Sequence, residues 1–147
     1  MENSNLYDQN TFYRVFERDL VQARYEVIIE SPFITTRRMM ILLPMLVRLR
    51  QRDVSIIINT RSPSEHDDNH YNQALEAAAM MQEIGVKVLY TVRHHRKLAI
   101  IDREVLYESS LNILSFSDSC EIMRRVVSST EAMRLLKFIG MKKYARR

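Results

Sequence analysis

The chain has 147 residues, a length that suits one domain and leaves little room for a second core. Hydrophobic residues make up 46% and charged residues 27%, ordinary globular usage that excludes a disordered tail. A formal net charge of +4 and a pI near 9.4 favour polyanionic partners, and no apolar run approaches the roughly 18 residues a membrane span needs.

No charged-then-apolar leader opens the sequence, so the expectation is a cytoplasmic protein without stable membrane insertion. The single cysteine, Cys120, can form no internal disulfide, which fits a reducing compartment. Residues 1–147 read as one domain with a basic C-terminal tail at about 140–147. From Met133 onward Arg134, Lys137, Lys142, Lys143, Arg146 and Arg147 meet no acidic residue. Such a cluster attracts nucleic acid or acidic headgroups, or is simply a solvated terminus.

Phe12, Val15, Phe16 and Leu20 recur at helical spacing, predicting an amphipathic helix over Asn10 to Arg24 with Asn10 as its cap. Val27-Ile28-Ile29, closed by Ser31-Pro32, reads as a buried strand. Thr35 or Thr36 then caps a helix to Leu49 that Pro44 should kink or restart. Val54 to Ile58 is a second buried strand, and Thr60 to Asn69 a polar loop. The next helix carries Ala74, Ala77, Ala78 and Met81 on one side and stops at Gly85. Val86 to Tyr90, Leu98 to Ile101 and Val105 to Tyr107 read as strands, the last two a hairpin turning at Asp102-Arg103-Glu104. Ile122 to Val127 is a further strand, and Ser128 with Glu131 has capping-box spacing before a last helix through Ile139. Early strands alternate with helices, so the expected class is α/β: a mixed, largely parallel β-sheet flanked by helices on both faces.

The chemistry concentrates in His95-Arg96-Lys97-Leu98-Ala99-Ile100-Ile101-Asp102, followed by Ser109-Ser110-Leu111-Asn112. On an extended chain His95 and Lys97 project together while Leu98 and Ile100 point the other way, which sets a nucleophile beside a fixed positive charge. Asn112, arriving after the hairpin, adds amide donors on the same side, an arrangement suited to a phosphate oxyanion.

These residues resemble the signature of the phospholipase D superfamily, His-x-Lys-x4-Asp-x6-Gly-Ser-x-Asn, matched here by His95, Lys97, Asp102, Ser110 and Asn112. Glu121 falls near where that family places an acidic partner for the histidine. Ser109 stands where the family has glycine, which predicts a tighter or displaced turn before the phosphate-contacting residues. The resemblance implies catalytic roles for His95, Lys97, Asn112, Glu121 and Asp102, with Asp102 largely structural at its turn. It implies phosphate contacts from Lys97, Ser110, Asn112 and Arg96. It implies displacement at phosphorus through a phosphohistidine, with no metal and no cofactor. A nucleophile and a separate acid are needed, and only one His-x-Lys is present, so the resemblance also implies a homodimer sharing one site.

His66 and His70 have the i, i+4 spacing of a zinc helix but sit in a polar segment after Ser62-Pro63-Ser64, so a loop at the site mouth is expected instead. His94 should point away from His95 and be structural, while Arg93 and Arg96 line either a phosphate track or a solvated strand edge. The functions in competition are a nuclease cleaving DNA or RNA, a nucleic-acid-binding module with weak or no catalysis, and a phospholipid phosphodiesterase. An amphipathic or membrane-embedded stretch would mark the last, and none is evident.

Overall fold

The computed structural model describes residues 3–115 and 119–145. Arg146 and Arg147 of the basic tail lie outside them. Strands β1 (Ser4–Tyr7), β2 (Glu26–Glu30), β3 (Ser55–Arg61), β4 (Lys87–Thr91), β5 (Leu98–Ile101), β6 (Val105–Ser109) and β7 (Met123–Val127) form a seven-stranded sheet in the order β1-β7-β6-β5-β2-β3-β4. Helices α1 (Phe12–Val21), α2 (Thr36–Gln51), α3 (Asp68–Glu83) and α4 (Ser129–Phe138) cover it.

The layering follows from strand alternation. Val27, Ile29, Ile56, Ile58, Ala99, Ile101 and Tyr107 face a core built with Phe16 and Leu20 of α1, Leu42 and Leu46 of α2, and Ala77 and Met81 of α3. Their alternates Ile28, Ile57, Leu98, Ile100 and Leu106 face Ala132 and Leu136 of α4. Each fully buried large apolar side chain in these clusters contributes roughly 1.5–3 kcal/mol. A strand covered on both faces reads as a continuous apolar run, which is why β2 and β3 stand out in the sequence.

The α/β class and the helices on both faces are as expected, but parallel pairing is confined to β2–β3 and β3–β4. The pairs β1–β7, β2–β5, β5–β6 and β6–β7 are antiparallel, which corrects the expectation of a largely parallel sheet. The reason is topological: only the crossovers through α2 and α3 join neighbouring strands, while β5 and β6 form a hairpin laid against the other side of β2.

Several local expectations shift. The cap of α1 is Thr11, not Asn10, because the Asp8 carboxylate accepts from the Asn10 and Thr11 amides at 2.9 and 3.1 Å and fixes the entry turn. Helix α2 runs as one element through Pro44, with the Thr35 side chain accepting from Arg38 N. Much of the polar loop is ordered: β3 reaches Arg61, a 3-10 turn spans Pro63–Glu65, and α3 begins at Asp68 under an Asp67 cap. Gly85 has φ +91°, the left-handed stop predicted for it. Ser128 caps α4 by accepting from Glu131 N at 3.2 Å.

Candidate active site

Because β5 is antiparallel to β2, its entry lies at the carboxyl ends of the parallel strands. Leu98 pairs with Glu30 at the end of β2, and Thr91 pairs with Arg61 at the end of β3. The stretch 92–97 thus crosses the sheet edge where open α/β sheets bind ligands. It has no regular structure and is held by specific bonds instead. Arg93, at φ +59°, donates its amide to both Glu65 carboxylate oxygens at 2.9 and 3.0 Å. His94 O accepts from Arg61 Nε at 3.2 Å, and Lys97 O accepts from Ser109 N at 3.1 Å.

His95 is exposed and Lys97 half-buried, and the two share a side, as alternation requires. Lys97 Nζ lies 3.3 Å from His95 Nε2 and donates to His95 O at 3.0 Å. An ammonium has no lone pair, so the imidazole nitrogen it faces is the acceptor, the form that can attack phosphorus. Burial holds Lys97 below the usual lysine range; the Glu121 charge opposes that shift and the Arg61 charge adds to it.

Ser110 donates to Glu121 through its hydroxyl, and Ser119 Oγ donates to the other Glu121 oxygen at 2.7 Å. These hydrogen bonds, with the Lys97 charge, hold the Glu121 carboxyl below the usual glutamate range. The Glu121 amide is fixed by Gln9 Oε1 at 2.9 Å, and Ser110 Oγ accepts from Ile122 N at 3.0 Å. No hydrogen bond joins Glu121 to His95 among the described residues; the carboxylate acts on the pair through Lys97.

Asn112 follows β6 in a loop whose neighbours Leu111, Ile113 and Leu114 are buried. Arg38 Nε donates to Ile113 O at 3.3 Å, and Thr35 N to Leu114 O at 3.0 Å, so α2 clamps this loop. The Asn112 Oδ1 atom is buried and accepts no hydrogen bond among the described residues. Ser109 completes β6 opposite Met123, and its Oγ donates to Leu111 O at 2.6 Å. Positive φ occurs at Asp53, Arg93, Asp102, Arg103 and two glycines, not at Ser109, so serine replaces glycine here without backbone strain.

The remaining motif residues lie apart from the pair. The Asp102 carboxylate sits at the far end of β5 and accepts from the amides of Arg24, Tyr25 and Glu26 at 2.9, 2.7 and 3.0 Å, pinning the turn into β2. The Arg96 guanidinium is turned onto Glu30, a fully buried carboxylate, with Nε 2.8 Å from Oε1. His94 is buried, 3% exposed, as expected of the residue facing away from His95. Glu30, Arg61, Gln9 and Ser119 were not read as site residues from the sequence. For Glu30 a signal existed, a charge directly continuing the buried run Val27-Ile28-Ile29.

His66 precedes α3 and His70 lies in its first turn, so the two do not share a helix face as in a zinc helix. Their rings are 6.0 Å apart and both pack on Phe33, at 5.1 and 5.2 Å. Asp67 takes the His70 Nδ1 contact at 3.0 Å.

A family model described as the PLD-like domain of cardiolipin synthase matches residues 16–138. No curated protein matches the sequence. Among solved structures, the chain is similar to a phospholipase D family member, Nuc from Salmonella typhimurium, with TM-score 0.75 and 12% identity over 98% of this chain and 97% of that one. It is similar to NucT from Helicobacter pylori, with TM-score 0.74 and 15% identity over 97% and 96% of the two chains. It also resembles TrmBL2, described as an archaeal chromatin protein with a novel mode of DNA binding, at TM-score 0.65 and 13% identity over 99% of this chain and 54% of that one. At these identities the likeness is one of fold.

Proposed function

The chain belongs to the phospholipase D superfamily through its PLD-like domain, and from that premise we propose that it is a phosphodiesterase cleaving DNA or RNA without a metal, at a site shared by two copies. The observation that carries this reading is the His95–Lys97 pair, with Nζ 3.3 Å from Nε2, at the sheet edge beside the residues that hold Ser110 and Glu121. His95 Nε2 attacks phosphorus and the bond to the leaving oxygen breaks, giving a phosphohistidine while a second imidazole protonates the leaving group. That imidazole then takes a proton from water, which attacks phosphorus and releases His95. Lys97, Ser110 and Asn112 supply charge and donors for the phosphoryl oxygens.

The second imidazole comes from His95 of another copy. Within one chain His94 is buried, and His66 and His70 belong to the Phe33 cluster. A two-fold arrangement supplies both histidines and doubles the positive charge around one phosphate. The basic balance of +4 supports a nucleic-acid substrate over a lipid, and among the described residues no helix is long and apolar enough to cross a membrane. The likeness to a DNA-binding chromatin protein keeps one second reading, a module that binds nucleic acid with little cleavage.

The test uses purified protein in EDTA with labelled single- and double-stranded DNA, RNA, and anionic phospholipid vesicles. Cleavage of a nucleic acid in EDTA is expected, and a denaturing gel should trap a labelled phosphoprotein that is absent from His95→Ala. Loss in EDTA restored by zinc or magnesium would overturn the mechanism. Headgroup release alone would move the substrate to lipid, and binding without cleavage would favour the module. Mixing wild type with His95→Ala under full subunit exchange should disable the heterodimers; activity tracking the wild-type fraction would show that each chain works alone.

A further inference from the structure

The stretch that carries His95 and Lys97 has no ladder of its own on the His95 side, yet its neighbours are anchored to buried polar groups. Arg96 reaches back to Glu30, with Nε 2.8 Å from Oε1 and Nη2 donating to Oε2 at 3.1 Å. Glu30 is 0% exposed and its Oε2 also accepts from Asn59 Nδ2 at 2.7 Å. Asn59 is in turn fixed by Thr91 Oγ1, which donates to Asn59 Oδ1 at 2.8 Å, so the bond chain returns to the strand that leads into the His95 stretch. Arg61 completes the grip by donating to the carbonyl of His94.

A carboxylate removed from water carries a large desolvation penalty, so a pair that holds Glu30 buried against a half-exposed Arg96 is a poor source of stability against an apolar replacement. Its position is informative. On one side of His95 the Arg96 side chain is tied to Glu30, and on the other the His94 carbonyl is tied to Arg61, while His95 itself, among the described residues, bonds to Lys97. Displacement of the reacting atoms by about 1 Å is enough to lower turnover about 100-fold. We infer that Glu30 and Arg96 are positioning residues, an ion pair between a buried carboxylate and a half-exposed guanidinium that fixes the backbone of the His95–Lys97 stretch so that both side chains meet one phosphate.

This assigns Arg96 away from substrate, whereas the family resemblance implied a phosphate contact, and the two roles separate cleanly. The inference rests on the phosphodiesterase reading for its kinetic readout only. Glu30→Gln, Arg96→Gln and the double variant are compared with wild type for kcat, KM and melting temperature, and the His95 ring is followed by long-range proton–nitrogen NMR. Each single variant should lose about 100-fold in kcat with KM within about twofold, and the double should be no worse than the worse single because both remove one interaction. Arg96→Lys should recover part of the loss, and the sharp His95 ring signals of wild type should broaden or split in the Gln variants.

A rise in KM for Arg96→Gln together with tighter binding in Glu30→Gln would make Arg96 a phosphate ligand and overturn the inference. A fall in melting temperature with unchanged kcat and unchanged His95 signals would overturn it as well. Because Arg96 is half-exposed, its variants keep the test available if Glu30→Gln does not fold. If wild type cleaves no phosphodiester, the proposed function fails by itself, and the His95 ring signals still decide the positioning role.

Discussion

Lys97 Nζ sits 3.3 Å from His95 Nε2 while also donating to the His95 carbonyl at 3.0 Å, so one ammonium is tied to both the ring and the backbone of the same residue. In the proposed mechanism this contact sets positive charge beside the phosphoryl oxygens during attack. His95→Ala should therefore abolish cleavage, and Lys97→Met should lower kcat by about 10²–10³-fold, the range seen when one preorganised donor is removed. His95 is exposed and Lys97 half-buried, so both variants should melt within a few degrees of wild type. Normal turnover in a pure His95→Ala preparation, measured on a labelled oligonucleotide, would refute the assignment.

Lys97 provides a pH test whose sign follows from its surroundings. Burial and the Arg61 charge lower its pKa, and Glu121 raises it. The proposed mechanism needs the charge on Lys97, so the alkaline limb of kcat should fall as Lys97 deprotonates, at a pH below that of an ordinary lysine. Glu121→Gln removes the opposing negative charge and should move that limb to lower pH; Arg61→Gln should move it to higher pH. The measurement is kcat against pH for the three proteins, and shifts in the reverse directions would show that another group sets the limb.

Asp102 belongs to the motif but acts on the fold. Its carboxylate accepts three backbone amides, from Arg24, Tyr25 and Glu26, and it occupies φ +54° beside Arg103 at +53°. The turn Ile101 to Glu104, closed by Glu104 N to Ile101 O at 3.0 Å, is thus of the primed hairpin kind with no glycine in it. Asp102→Ala removes the acceptor and keeps a strained φ, and should cost about 2–3 kcal/mol in urea unfolding. Asp102→Asn, which tolerates that φ and retains one acceptor oxygen, should cost less than Asp102→Ala. Turnover of the folded fraction should match wild type in both.

The strands that carry apolar runs, β2, β3 and β5, were legible because burial on both faces leaves a continuous Val/Ile pattern. The His95–Lys97 pair was legible because alternation along an extended chain is local. β1 was not: Ser4–Tyr7 is only four residues long and carries no apolar run, and it is a strand because its backbone pairs with β7 from Ser4↔Val126 to Tyr7↔Met123. Of the antiparallel pairings the β5–β6 hairpin was legible from its turn, and the others were missed for a similar reason, since pairing direction depends on where the chain returns. The site residues contributed from a distance were also silent. Gln9 meets Glu121, and Arg61 meets His94, through contacts that no spacing rule anticipates. Arg96 was legible as a charge next to the nucleophile, but only the fold shows that Glu30 occupies it.

Ser109 gives the sharpest test of the motif's one departure. Its backbone does not need glycine, and its hydroxyl donates to Leu111 O at 2.6 Å, closing the turn that leads to Asn112. Restoring glycine removes that bond and frees the backbone in a strand end. Ser109→Gly should thus lower stability by about 1–2 kcal/mol, the sum of one hydrogen bond and the entropy of an unneeded glycine. Activity at a temperature where both proteins are folded should stay within about threefold, since Ser110 and Asn112 remain in place and a change that small is under 1 kcal/mol. Ser109→Ala, which loses the bond but keeps the backbone restricted, should fall between the two in stability. A tenfold or larger gain in kcat for Ser109→Gly would show that the serine distorts the phosphate pocket, and that glycine is required there after all.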